Sequence, residues 1–428
     1  MPASDETCDV LVIGGGPAGS TAAALLAERG TDVVLLEKAA HPRFHIGESL
    51  LPRNLRIFER LGIAEQVAAI GVHKPGAEFI ADDTGQSVTF AFARSPLAGA
   101  DHAWQVCRAE FDRMLFETAR AKGARVAERL RVTDVAAVPG GRLRVTASAA
   151  DGAVRVLLAR FVLDASGRDT FMANRLGIKQ SDKRNATAAV FAQFRNVAAR
   201  TDDMRGAISI HLVRDGWFWM IPLPGEAMSV GFVGNPSAFR QRREPLATFF
   251  ARRLEESPTV RARMAQAERI GEVMGAGNYT YRARRSWGDG WAMIGDAFGF
   301  IDPVFSSGVL LAMTAGEQGA DIASAWLANP RQGAALARRT ERRMRAAMDR
   351  ISWLIYRINT PVLRELFLSP SNRLGMRDGV TALLAGHLRP DRRLIVPVLA
   401  FRCVYYILSA LRWLRPLAAS PSRPAAWR

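Results

Sequence analysis

The sequence predicts an α/β fold built around a dinucleotide-binding βαβ unit. Three observations predict it: a GxGxxG turn near the N-terminus, two strand-to-turn segments far downstream that complete the same sheet, and a middle stretch of strand-like composition. Cys8 to Ile13 reads as a short buried strand, followed by Gly14-Gly15-Gly16-Pro17-Ala18-Gly19 and a small-residue helix from Ser20 to Arg29. Gly30 ends that helix, and Asp32 to Leu36 forms a second strand ending at Glu37. Glycines at Gly14, Gly16 and Gly19 allow a tight turn and let the backbone approach a pyrophosphate at the positive end of the helix. Glu37 lies 18 residues after Gly19, where a carboxylate takes ribose hydroxyls. A plain glycine-rich turn is the competing reading, and the flanking strand, helix and acid favour the nucleotide.

Val162 to Arg168 (VLDASGR) is a strand entering a tight turn. Trp291 to Gly295 is another buried strand, followed by Asp296 and a helix of small residues from about Ser306 to Leu327. Between them, Ala188 to Val197 and Ala207 to Val213 have strand composition, with turn signals at Asp215-Gly216 and Pro224-Gly225. The predicted central strand of this antiparallel sheet is Trp217 to Pro222. Alternation puts Trp217 and Trp219 on one face, roughly 7 Å apart. Two indoles so placed either line a planar aromatic cavity or fill a core. Residues 331–358 are helix-like and rich in arginine, and Leu394 to Leu414 is apolar but interrupted by Pro397, Arg402 and Arg412. Its longest unbroken apolar run has 8 residues, against about 20 for a membrane-spanning helix, so it does not read as a span.

Composition bounds the rest. A chain of 428 residues, 49% hydrophobic and 23% charged, buries a large core and is neither disordered nor collagen-like. Three scattered cysteines (Cys8, Cys107, Cys403) and six histidines show no disulfide framework and no metal spacing, so no metal site is expected. The N-terminal residues carry no basic region followed by an apolar one, and the expected location is cytoplasmic. The net charge is +17, written with 53 Arg and only 5 Lys. Such a surface attracts acidic partners. No nucleic-acid-binding motif is present, which leaves an anionic membrane surface or an acidic carrier protein.

The three-part arrangement of βαβ unit, Asp164-Ala165-Ser166-Gly167 and Gly295-Asp296 resembles the glutathione-reductase-type FAD-binding Rossmann-like domain, in its para-hydroxybenzoate-hydroxylase-like form. That resemblance implies FAD as cofactor. It places Asp296 at the ribityl chain and Arg108 at the flavin, where the alternative for Arg108 is a solvated helix start. It also implies contacts from Ala18, Arg43, Ile46 and Val309. The implied organisation is an FAD-binding domain over 1–180, with a substrate-side insertion at about 72–107. An antiparallel substrate-domain sheet follows over 181–285, a closing FAD-domain segment over 286–330, and a helical basic C-terminal region over 331–428.

Four further segments resemble the flavin-dependent halogenases. They are the WxWxIP of Trp217 to Pro222, the FxxPxxSxG of Phe300, Pro303, Ser306 and Gly308, the stretch Phe44 to Pro52, and the KxGA of Lys74 to Ala77. The likeness is nearest the branch acting on phenols and pyrroles, often carrier-bound, and covers roughly residues 8–330. It implies an oxidoreductase in which reduced FAD (from a separate flavin reductase), dioxygen and chloride or bromide give hypohalous acid. Lys74 then passes the halogen to an electron-rich aromatic. Arginine stays protonated and offers no lone pair, whereas a buried lysine is tuned downward. The competing reading of Lys74 is a surface lysine before a turn. Trp217, Trp219, Phe300 and Pro303 line the implied site. Backbone amides at Ser307 and Gly308 hold the halide, or the serines there simply cap the helix. Glu48 and Ser49 read as helix caps. The rival functions on the same fold are an aromatic monooxygenase using NADPH, an isoprenoid or polyene reductase, and a basic flavoprotein scaffold. The C-terminal region reads three ways: a lid helix, a membrane-surface contact, or a docking face for an acyl carrier protein.

Overall fold

In the computed structural model, which describes residues 6–182, 187–277, 280–301, 304–358, 360–387 and 391–414, the GxGxxG turn sits at the centre of an eight-stranded sheet. The buried run β1 (Glu6–Ile13) feeds α1 (Pro17–Glu28), which returns through β2 (Val33–Leu36). β1 lies parallel to β2 on one side and to β10 (Val154–Asp164) on the other, with Ile13 level with Leu36 and Asp164. β7 (Arg125–Ala127) extends the sheet beyond β2, and β17 (Trp291–Met293) extends it beyond β10, both parallel. The hairpin β8 (Leu130–Val138) and β9 (Arg142–Ala149) pairs antiparallel off β10, and β16 (Trp287–Gly288) closes the far edge. The strand order departs in both directions from β1, so a crevice opens at the carboxyl ends of β1, β2 and β10, where open α/β sheets bind ligands.

The second sheet has seven strands, in the order β15 (Glu268–Ala276), β11 (Ala188–Arg195), β14 (Met228–Gly234), β13 (Gly216–Pro222), β12 (Ile208–Val213), β4 (Gly76–Ala81), β5 (Ser87–Ala91). The tryptophan strand β13 is therefore central, as its all-buried composition predicts. One expectation needs correction. The sheet is not wholly antiparallel, because β4 lies parallel to β12. Alternation sets the two faces: Trp217, Trp219 and Ile221 share a core with residues of the first sheet, while Phe218 and Met220 pack with Phe249 and Phe250 of the helix Leu246–Glu256. A small two-stranded sheet, β3 (Gly71–Lys74) with β6 (Ala103–Val106), joins the two large ones. α2 (Arg108–Ala121) follows it directly.

Two helices follow the first sheet: α3 (Gly308–Ala328), which crosses α1, and the long α4 (Pro330–Ile355), which packs on α3. A Cβ on Gly316 would stand 2.5 Å from the Ala18 carbonyl, so glycine there is what lets α3 approach α1. The C-terminal region contains α5 (Pro361–Leu368), α6 (Met376–Leu384) and α7 (Arg392–Leu414). α7 runs unbroken through Pro397, contrary to the reading of an interrupted segment. Pro397 sits inside the helix with its ring against Gly375 and Gly379, where a Cβ would stand 3.4 and 2.6 Å from it.

Candidate active site

A cavity of about 1130 Å³ runs from the GxGxxG turn, across the carboxyl ends of β1 and β2, to the tryptophan face of the second sheet. At one end lie Gly14, Gly16 and Ala18. Gly14 has φ +101°, and a Cβ there would sit 2.5 Å from the Ala165 carbonyl. Gly19 does not touch the cavity. A Cβ on it would lie 1.9 Å from the Gly14 carbonyl, so its role is to let helix and turn close on one another. Gly16 is the opposite case: a side chain there would meet only Arg43 Nη2, at 3.8 Å, and would project into ligand space. Gly19→Ala should therefore cost about 3 kcal/mol, roughly a hundredfold in FAD affinity. Fluorescence titration of the apoprotein measures it, and wild-type affinity in that variant would refute this account of the turn.

Glu37 borders the cavity and is buried. Its Oε2 accepts the Gly15 N–H at 2.7 Å and its Oε1 the Ala39 N–H at 2.9 Å. It thus fixes the turn to the end of β2 and keeps only its remaining lone pairs for a ribose. Arg43 lies 3.6 Å from both Glu37 and Asp112, and its buried Nε has no partner in the described protein. Arg108 is engaged on two sides: Nε and Nη2 donate to Asp112, and Nη1 to the carbonyl of Ile46 at 2.7 Å. This ties α2 to the Ile46–Gly47 loop along the cavity, so Arg108 is not a solvated helix start. Asp164 ends β10 by accepting the Ser166 and Met172 amides, which shapes the turn beneath the same cavity. Asp296 faces the cavity, and burial pushes its carboxyl up to about 6. Val309 and Ile46 add apolar wall.

A long crevice with an open glycine turn, an orphaned arginine N–H and an acid at the late GD turn fits FAD. Gly14, Gly16 and Ala18 would hold the pyrophosphate end, and Asp296, Arg108 and Ile46 the flavin end.

The other end is aromatic. Trp217 and Trp219 both line the cavity with their ring centroids 5.9 Å apart, and both are buried. Trp219 lies flat over Gly231, where a Cβ would stand 2.2 Å from the indole, and its Nε1–H donates to Ser229 Oγ at 3.1 Å. Ile208, Ile210 and Phe300 share this wall. Pro303 lies outside the described residues. At the α3 N-terminus, Gly308 borders the cavity but Ser307 does not: Ser307 is buried, and Ser306, at φ +56°, takes the lining position. Ser307, at the N-cap position, makes no side-chain cap hydrogen bond among the described residues, so the capping reading of Ser307 is not met there.

Lys74 is neither on the surface nor on the cavity wall. It is 1% exposed, at the end of β3, and Nζ donates to Ser49 Oγ at 2.9 Å and to the Leu50 carbonyl at 2.8 Å. Ser49 lines the cavity, so one hydroxyl separates the amine from it. Among the described residues no carboxylate pairs with Lys74, and burial brings its ammonium down to about 7. The surface-lysine reading is thereby excluded.

Glu48 and Ser49 are not helix caps. The turn that follows is closed by Asn54, whose Oδ1 accepts the Leu51 amide. Glu48 instead lines the cavity, with Oε1 accepting Gln193 Nε2 at 3.2 Å and Oε2 without a partner among the described residues. Burial raises its carboxyl, while the Ser229 hydroxyl and the Gln193 amide draw it back. The signal for Glu48 was present in Gly47-Glu48-Ser49, but its partners Gln193 and Ser229 come from strands far along the chain. Among the described residues no cluster of His, Cys, Asp or Glu could hold a metal ion.

This is the site of a flavoprotein oxidoreductase, and a family described as an FAD binding domain matches residues 7–348. The chain is 30% identical over 333 residues to a 1H-pyrrole-2-carbonyl-(peptidyl-carrier protein) chlorinase of Pseudomonas fluorescens, covering 72% of this chain and 74% of that protein. A solved flavin-dependent brominase superposes with TM-score 0.84 at 27% identity, over 95% of this chain and all (100%) of the other. A flavoprotein/dehydrogenase from Cytophaga hutchinsonii superposes with TM-score 0.86 at 27% identity, again over 95% and 100% of the two chains. The chain belongs to the flavin-dependent halogenase family, with FAD as its cofactor and a halide as co-substrate.

Proposed function

We propose that this halogenase transfers the halogen through Lys74 to an electron-rich aromatic ring, phenolic or pyrrolic, presented on a carrier protein, with reduced FAD delivered by a separate flavin reductase. The observation that carries the reading is the amine itself: a buried lysine whose ammonium is brought down to about 7, one hydroxyl from an indole-walled cavity. Reduced FAD with dioxygen supplies the two-electron oxidant that turns halide into hypohalous acid. The first amides of α3, at Gly308 on the cavity wall, hold the halide, because an anion is favoured where helix N–H groups converge. Trp217, Trp219 and Phe300 exclude water from the passage. The neutral Lys74 amine attacks the halogen of hypohalous acid, forming N–X and releasing water. The arene takes the halogen from that N–X, its proton is lost, and the amine is regenerated. A carrier-bound pyrrole is the substrate of the Pseudomonas chlorinase, and the +17 charge suits an acidic carrier. The three free cysteines suit a cytoplasmic location.

The test incubates the protein with a flavin reductase, NADH, FAD, dioxygen and bromide. One arm contains pyrrolyl and hydroxyaryl thioesters on a carrier protein, the other free phenols. Mass spectra should show bromine's isotope pattern on the carrier-bound ring. Bromination of free phenols alone would overturn the carrier, and NADH oxidation with no brominated product in either arm would overturn the reading as a whole.

A further inference from the structure

α7 is 23 residues long, about 34 Å at 1.5 Å per residue, and carries four arginines (Arg392, Arg393, Arg402, Arg412) and no acid. By length and composition it is long and apolar enough to cross a membrane. One strip of it, Leu394, Pro397, Phe401 and Tyr405 at helical spacing, is buried on the protein. Pro397 packs on Gly379, and Phe401 and Tyr405 meet the Trp353 ring edge-on. The opposite face repeats the same spacing and is equally apolar. Val396, Leu399 and Ile407 are 59%, 51% and 58% exposed, Cys403 and Ala410 complete the stripe, and Trp413 near its end is 85% exposed. A helix apolar on both faces calls for two partners, and the protein body supplies one.

We propose that the outward face of α7 lies in the headgroup plane of an anionic lipid bilayer, making this enzyme a peripheral membrane protein. The charge pattern selects lipid among the possible occupants. Arg392 and Arg393 stand at the start of the apolar stripe and Arg402 on its flank, where Arg402 and Arg357 each stack on Trp353 and the Tyr406 hydroxyl accepts the Trp353 indole N–H at 2.9 Å. Apolar side chains at the centre with Arg, Trp and Tyr at the margin is the composition of an interfacial helix. Each arginine near an anionic surface adds about 1 kcal/mol. A carrier protein's acidic face would instead need the cations at the centre of contact, where Leu399, Cys403 and Ile407 stand. Two copies paired on this face would bring together two chains each already at +17, with the Arg402 flank of each at the seam. The buried strip holds α7 to α5 and α6, so it lies along the surface rather than crossing the bilayer. None of this depends on the halogenation chemistry.

The test is flotation of the full-length, FAD-loaded protein with phosphatidylcholine vesicles, with and without phosphatidylglycerol. Wild type should float with the anionic vesicles, float less with the neutral ones, and be stripped by alkaline carbonate. The triple variant Val396→Asp, Leu399→Asp, Ile407→Asp should lose flotation by about tenfold or more. Its flavin content and melting temperature report that it is folded. The milder pair Arg392→Gln, Arg393→Gln should lose only the preference for anionic lipid. Trp413 emission, taken as the difference from Trp413→Phe, should shift to the blue on vesicles. Absence of flotation, or equal flotation of a folded triple variant, overturns the proposal. So does resistance to carbonate, which would mean a span. A dimer abolished by the triple variant, or carrier-protein capture lost with it, in protein that ignores vesicles, would overturn it by naming the other occupant.

Discussion

Lys74→Ala should abolish halogenation, by a factor on the order of 10³ or about 4 kcal/mol of barrier, while FAD binding and oxygen consumption by the reduced flavoprotein persist. Lys74→Arg should do the same. Its guanidinium keeps a proton at every working pH and has no lone pair to offer the halogen. The wild-type pH profile follows from the same burial. With the ammonium brought down to about 7, the neutral amine is the minor form below that pH and the major form above it. Halogenation should therefore rise roughly tenfold per unit up to about 7 and then level off.

Stability carries a matching signature. The folded-state value is depressed below the ordinary 10.5, so between about 7 and 10.5 the unfolded chain holds more protons and stability rises with pH. Below about 7 both states carry the proton and the full desolvation cost is felt. Lys74→Met, which removes an unpaired buried charge, should raise the melting temperature most at the acid end, and its advantage should shrink toward pH 10.5. A variant lacking the amine that still halogenates at the wild-type rate would refute the transfer role. A flat stability difference would refute the buried-ammonium account.

That lysine shows where the sequence was informative and where it was silent. Gly14 to Gly19 was legible because its signal is local: a tight turn between a buried strand and a helix writes itself in adjacent residues. The one-faced tryptophan pair was legible for the same reason, since strand alternation has a period of two. Lys74 was singled out by its resemblance to a known motif, but its burial was not legible. The burial comes from β3 pairing with β6 and from Ser49 bridging to Gln105, contacts made only when distant segments meet. Glu48 was misread as a cap for the same reason, its partners lying in β11 and β14. The parallel pairing of β4 with β12 joins segments more than a hundred residues apart, and no local pattern announces it. Ser307 was named where Ser306 and Gly308 take the cavity side. A left-handed residue at Ser306 rotates the turn by a step that composition does not encode. The continuous α7 was missed because Pro397 reads as a breaker until its packing against Gly375 and Gly379 is seen.

Trp219→Ala should uncouple the enzyme more than it slows it. Trp219 occupies the middle of a cross-sheet row, opposite Gly231 on one side and Ile210 on the other, with Phe79 next beyond Ile210. Its indole fills the space that glycine leaves, touches Trp217 and Phe191, and donates its N–H to Ser229. Truncation removes that ring and leaves the Ser229 hydroxyl and Glu48 facing an enlarged, wetter cavity. The expected stability loss is about 3 kcal/mol, at the low end for a buried aromatic because one side of the ring already faces the cavity. The chemical consequence is larger. Hypohalous acid is a small diffusible oxidant, and the proposed capture by Lys74 requires that the indole wall keep it from bulk water. With the wall breached, halogenated product per NADH should fall by roughly tenfold, and a small enolic scavenger in bulk solution should be halogenated in its place. Trp219→Phe keeps a ring over Gly231 and should retain most of the coupling. Gly231→Ala, which leaves both indoles in the chain but forces the Trp219 ring off its seat, should leak as the alanine variant does. A Trp219→Ala enzyme with wild-type coupling and no scavenger product would show that the indole wall does not confine the oxidant, and the lysine would then need another means of meeting the halogen before water does.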